Sequence, residues 1–258
     1  AYCQALEALA GCAVPPRAQA LRAIALELER LANHTGDLGA LAGDIGFLPT
    51  ASYCGRLRGD FLNMTALLCG NRFGRGLVRP GGVAYDMDSA ILDALRSRLD
   101  ATFRDVAGAV NLLWDTPSVL ARFENTGALT LETAITLGLV GPAARASGRN
   151  LDVRRDYSTG AYATTAIPVA LQDSGDVFAR AYVRWLEIQH SADYIRQQIA
   201  QLPDGPIRAP LGPLAPDSFV VSLQEGWRGE ILHLVTTDAA GRFAHYKVVD
   251  PSFHNWLG

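Results

Sequence analysis

PPRAQALRAIALELERLANHTGDLGALAGDIG, residues 15–46, is the stretch on which the fold class turns. Leu21, Ile24, Leu28 and Leu31 recur at steps of three and four, which lines them along one face of a helix. Pro15-Pro16 opens it, where a missing N–H costs nothing because first-turn donors have no intrahelical partner. The spacing predicts a helix from Pro15 through about Asn33. Upstream, Tyr2–Leu9 reads as the end of another helix, stopped near Gly11.

Three further apolar stripes follow. Leu57, Phe61, Met64 and Leu68 predict a helix from Thr50 to about Cys69. Ile91, Leu95, Leu99, Phe103, Val106, Val110 and Leu113 mark Asp86–Trp114, the clearest helix, opened by acidic residues and stopped before Thr116-Pro117. Phe178, Tyr182, Trp185, Ile188, Ala192, Ile195 and Ile199 mark Asp173–Leu202, with His190 as an exposed or hydrogen-bonded helix residue. Between them, from Pro117 to Gly160, the chain breaks into small elements. Near the end, Ile231–Thr237 and Phe243–Val249 alternate with period two around the turn Asp238-Ala239-Ala240-Gly241, a β-hairpin pattern. The expectation is a mainly α (α+β) fold. Residues 1–202 form a helical bundle core, residues 203–216 a Pro-rich linker, and residues 217–258 a small antiparallel β unit.

Composition narrows the classes. The chain has 258 residues, 49% hydrophobic and 19% charged, as in an ordinary globular protein. A net charge of −3 argues against nucleic-acid binding through a basic surface. Lys247 is the only lysine, so nearly every cation is an arginine. No run of eighteen apolar residues predicts a membrane span, and the start at Ala1 carries no signal-peptide pattern. Cys3, Cys12, Cys54 and Cys69 are spaced too irregularly for a zinc or iron–sulfur ligand set, so no metal is expected within this chain. They are expected to stay reduced in a cytosolic, apolar interior. GNRFGRGLVRPGGV, residues 70–83, lacks the pattern of a phosphate loop.

The hairpin's flanks carry the chemistry. Arg228-Gly229 enters it, allowing close backbone approach beside a fixed cation, and Asp250-Pro251-Ser252-Phe253 leaves it. This combination resembles the large subunits of nickel–iron hydrogenases, group 4 (energy-converting) above all, and the related 49-kDa subunit of respiratory complex I. The resemblance also covers Pro15–Ala18, Glu27–Leu31, His34 and Leu38-Gly39. It continues through Arg79-Pro80-Gly81-Gly82-Val83, then Arg145-Ala146-Ser147-Gly148 with Asp152 and Arg154, and Gly175–Arg180. It implies that Arg228 and Ser252, beside Pro251, belong to the catalytic site. It also implies that His34 and Arg79 lie near the terminal iron–sulfur cluster of a partner subunit, and that Asp44 lies beside a quinone cavity. Arg145, Asp152 and Arg154 could equally form an internal ion-pair scaffold, and that structural role is placed ahead of direct catalysis.

Nickel–iron chemistry needs four cysteine thiolates, two near each end of the large subunit, and this sequence holds no CxxC. The resemblance places both cysteine motifs outside these residues, so the sequence is expected to be a central fragment, inactive alone. Two activities follow from the resemblance. One is hydrogen oxidation or proton reduction at a nickel–iron centre of the parent subunit. The other is quinone binding in an NADH-quinone oxidoreductase. Asn255-Trp256 leans toward the hydrogenase branch. A reading of another class is a helical scaffold without chemistry of its own. The implied partners are the small iron–sulfur subunit and membrane subunits, at the inner face of the cell membrane on the cytoplasmic side.

Overall fold

The structure is a computed structural model and describes residues 1–258. It is mainly helical, with a small antiparallel sheet near the C-terminus. Helix α1 (Tyr2–Leu9) precedes the long α2 (Pro16–Asp44), α3 (Leu48–Cys69) and α4 (Ser89–Trp114). A short two-stranded hairpin, β1 (Val78–Arg79) with β2 (Gly82–Val83), lies between α3 and α4. Four short helices follow: α5 (Pro117–Phe123), α6 (Leu131–Thr136), α7 (Gly141–Arg145) and α8 (Val153–Asp156), then a 3-10 turn at Gly160–Ala163. The chain continues with α9 (Val177–Ala200), three strands and α10 (Pro251–Asn255).

Helix α2 is the axis, packed against both α3 and α9, and it runs past Asn33 to Asp44. His34–Asp44 contains three glycines, which weakens its intrinsic helicity, but packing overrides propensity here. Leu38 and Ala42 are fully buried in the core. A Cβ on Gly39 would stand 2.8 Å from the Cβ of Cys54, so the missing side chain lets α2 and α3 approach closely. The apolar stripes read from the sequence meet in one cluster that joins α2, α3, α4 and α9, with Leu28, Phe61, Leu99 and Ile188 fully buried. Phe178 and Tyr182 sit at its margin, ringed with Trp114 at centroid distances of 5.4–5.6 Å.

Helices α4 and α9 begin three to four residues later than their acidic lead-ins suggest. Asp88 and Asp176 act as N-caps in extended backbone, accepting from Ile91 N and Ala179 N at 2.8 Å each. Residues 203–216 run back along the bundle. Val83 N donates to Ile207 O at 3.0 Å, Ala209 N to Gly81 O at 2.9 Å, and Ala215 N to Leu9 O at 2.8 Å.

The sheet has the order β3-β4-β5, with β3 (Phe219–Gly226), β4 (Gly229–Thr237) and β5 (Phe243–Val249) antiparallel. Gly226 pairs with Gly229, so Trp227-Arg228 form a two-residue turn. Arg228 therefore occupies the tip of the β3–β4 hairpin as well as preceding the β4–β5 hairpin.

Candidate functional site

Glu27, Arg30 and His34 lie at steps of three and four on α2, hence on one face. They meet Glu187 and Ser191 of α9, Arg145 of α7, Asp152 and Arg154 at the start of α8, Tyr162, and Glu225 of β3. All seven charged groups are 0–3% exposed, as is His34 at 0%. Arg154 grips Asp152 through Nε and Nη2 at 3.0 and 2.6 Å and reaches Glu27 Oε2 at 3.2 Å. Arg145 donates to Glu187, to Glu225 Oε1 at 2.9 Å and to the Leu151 carbonyl at 3.0 Å. Ser191 and Tyr162 hydroxyls donate to Glu27, and His34 Nε2 lies 2.7 Å from Glu187 Oε2. So many buried ions are tolerable only because each charge meets an opposite one; His34 Nδ1 and Arg145 Nε are the two atoms of the network left without a hydrogen-bond partner.

The electrostatics follow from that geometry. Burial alone would raise the Glu27 and Glu187 carboxyls, but the arginines around them override it and hold both below the ordinary carboxylate value. Asp152, against burial, is held at about 2 by Arg154 and Arg145. Glu225 goes the other way: burial, helped by neighbouring Asp152, raises it despite Arg145. Burial lowers His34 despite Glu187, favouring the neutral imidazole. Glu225 nonetheless accepts on both oxygens, from Arg145 at Oε1 and from Val153 N at Oε2.

The Trp227-Arg228 turn leaves this network directly. Asn255 Nδ2 of α10 donates to the Arg228 carbonyl at 3.0 Å, while Asn255 Oδ1 accepts from Val140 N at 3.0 Å. Gly141 (φ +62°) and Gly229 (φ +131°) sit against each other, and a Cβ on either would overlap the other's backbone. The exposed Arg228 side chain lines a polar groove of about 500 Å³ with Asn33, Gly36, Asp37, Gly55 and Arg58. Neither Arg228 nor Arg58 has a carboxylate partner; Asp37, the groove's one acid, is taken by Arg184 at 3.2 Å. Asn33 and Arg58 also line a larger, mainly apolar chamber of about 1010 Å³ bounded by α1, α2, α3 and β3.

The residues singled out from the sequence are thus distributed unevenly. His34, Arg145, Asp152 and Arg154 are in one buried network. Arg228, Pro251 (buried) and Ser252 (half-buried) are close in the fold, joined through α10 and Asn255. Asp44 is exposed at the end of α2 and lines neither cavity. Arg79 is exposed on β1, its guanidinium turned back to the Gly76 carbonyl at 3.1 Å, and it also lines neither cavity. Sequence reading missed Glu27, Arg30, Glu187 and Glu225. The available signal was a set of charged residues in register with His34 and bordering the apolar stripe of α2. Cys54 and Cys69 are buried, Cys3 and Cys12 half-buried, all unpaired, and no cluster of three or more His, Cys, Asp or Glu could hold a metal ion. The residues present therefore do not supply a nickel–iron ligand set. No helix is long and apolar enough to cross a membrane.

The model of the respiratory-chain NADH dehydrogenase 49-kDa subunit family matches residues 44–215. The chain is 35% identical over 256 residues to the carbon monoxide-induced hydrogenase of Rhodospirillum rubrum, covering 99% of this chain and 71% of that protein. It is 34% identical over 254 residues to NADH-quinone oxidoreductase subunit 4 of Thermus thermophilus, covering 98% of this chain and 59% of that one. With an NADH-quinone oxidoreductase subunit of Clostridium beijerinckii it shares 31% identity over 256 residues, covering 98% of this chain and 69% of that protein. The chain thus spans 59% to 71% of the length of these relatives.

Proposed function

Since the chain belongs to the family of the 49-kDa subunit of respiratory-chain NADH dehydrogenase, which its likeness to a hydrogenase extends, we propose that it is the central region of an oxidoreductase large subunit of the hydrogenase branch. In that role it takes part in hydrogen oxidation or proton reduction, passing electrons to an iron–sulfur partner subunit at the cytoplasmic face of a membrane complex. Membrane subunits of the same assembly are further proposed partners. The observation that carries the reading is Arg228: a guanidinium without a carboxylate partner, on a two-residue turn pinned by Asn255 and Gly141, at the rim of a polar groove. A cation projecting from a fixed backbone position stabilises negative charge that develops next to it during a reaction. Ser252, in the same short helix as Asn255, is its proposed neighbour at the site, and His34, Asp44 and Arg79 are proposed to lie toward the cluster or quinone side. These residues offer no set of metal ligands of their own.

A second reading, quinone binding, is favoured by the apolar chamber that meets the polar groove at Asn33 and Arg58. An apolar body with a polar head would suit such a pair of cavities. Metal analysis of the full-length parent protein, purified anaerobically, separates the two. Nickel and iron in stoichiometric amounts are expected under the hydrogenase reading; absence of nickel would end it and leave quinone binding.

A further inference from the structure

Arg30 is buried inside the ion network, yet only part of its hydrogen bonding goes to carboxylates. Nε donates to Glu27 Oε2 at 3.1 Å, and Nη1 reaches Glu187 Oε2 at 3.4 Å. The same Nη1 donates to the Gly226 carbonyl at 3.0 Å, and Nη2 to the Glu225 carbonyl at 2.7 Å. A guanidinium is a rigid planar fork, so one side chain fixes how far the last two peptides of β3 stand from the two helices. Arg228 follows two residues later, at the tip of the turn.

We infer that Arg30 is a positioning residue for Arg228, joining the His34–Glu187 pair to the backbone of the turn that carries the cation. The inference rests on the role proposed above for Arg228. The turn has other supports, Asn255 at the Arg228 carbonyl and Gly141 against Gly229, but both come from groups that do not titrate. Arg30 connects it to the buried acids. Glu187 accepts from Arg30 and Arg145 and faces His34, and Arg145 in turn holds the Glu225 side chain, so the end of β3 is gripped by backbone and side chain alike. A displacement at the His34–Glu187 pair therefore reaches the backbone of the Arg228 turn through the Arg30 guanidinium, and the Glu225 side chain through Arg145.

The test is backbone relaxation by NMR on the 258-residue chain carrying Arg30→Lys. Lysine keeps the positive charge beside Glu27 and Glu187 but cannot hold both carbonyls and both carboxylates in a fork. Order parameters at Trp227, Arg228 and Gly229 are expected to fall from about 0.85 to below about 0.6 while β4 and β5 stay rigid. An unchanged turn overturns the inference. Should Arg30→Lys fail to fold, Glu187→Gln is read by the amide shifts of Gly226–Gly229: displacement supports the link, and unmoved resonances overturn it. In the assembled complex, Arg30→Lys is expected to lower turnover about 10- to 100-fold, as misplacement of a catalytic group does. A loosened turn with turnover intact in both Arg30→Lys and Arg228→Gln would sink the role of Arg228 and leave the positioning standing. Loss of turnover in Arg228→Gln with a rigid turn in Arg30→Lys would do the reverse.

Discussion

Burial favours the neutral imidazole at His34, and the Glu187 carboxylate 2.7 Å away pulls the other way without overcoming it. The folded pKa thus lies below the ordinary 6.5, so the unfolded chain takes up a proton first as pH falls. Stability owed to His34 is complete above that ordinary value and is lost as pH falls from it toward the folded pKa. For one proton the slope is at most about 1.4 kcal/mol per pH unit. His34→Gln keeps a donor for Glu187 and removes the titration. Thermal unfolding between about pH 7.5 and about pH 5.5 is expected to show a steeper loss in the wild type than in this variant. Equal slopes would show that His34 contributes nothing. His190 and His233 are also lowered by burial, act in the same direction in both proteins, and cancel in the difference. The histidine was visible in the sequence. Its partners were not, because Glu187 lies 153 positions away and only the α2–α9 packing brings them together.

At the level of elements, the two hairpins show what a local pattern can and cannot disclose. The β4–β5 hairpin was legible from alternation and a glycine-bearing turn. The β3–β4 turn was harder to read: FVVSLQEG alternates poorly, and its buried members include Ser222 and Glu225, which face partners on α1, α7 and α8. The turn's placement depends on α7, whose first residue is Gly141. Gly141→Ala is expected to destabilise the chain by about 2 kcal/mol or more. The new Cβ would overlap Gly229 and the Arg228 carbonyl, at a backbone φ of +62° that alanine resists. Denaturant unfolding of this variant measures it directly, and wild-type stability would refute the tight packing of the turn. Helix ends were misread for an equally local reason: Asp86–Asp88 and Asp173–Asp176 signal the start of a helix, but the caps themselves stay outside it.

Across the whole molecule, large apolar side chains remain uncovered, among them Leu48 at 70%, Phe73 at 68%, Phe219 at 63% and Trp256 at 74% exposure. Of these, Phe73 borders the apolar chamber, and exposed apolar surface joined to such a chamber marks an interaction face. The chain by itself is expected to self-associate, its scattering mass rising with concentration; a monomer throughout a dilution series would contradict this. The helical class, the four apolar stripes, the terminal hairpin and the family motifs were all readable along the chain, because each depends on residues a few positions apart whose spacing sets which face is buried. Folding in three dimensions was needed to bring His34, Arg145, Asp152 and Arg154 into one ion network with Glu27, Arg30, Glu187 and Glu225. Folding also set Arg228 clear of that network on a clamped turn, and left Asp44 and Arg79 apart from both cavities. A buried charge must find its counter-charge wherever packing delivers one, and those partners lie up to 157 positions away in the chain, beyond the reach of any local pattern.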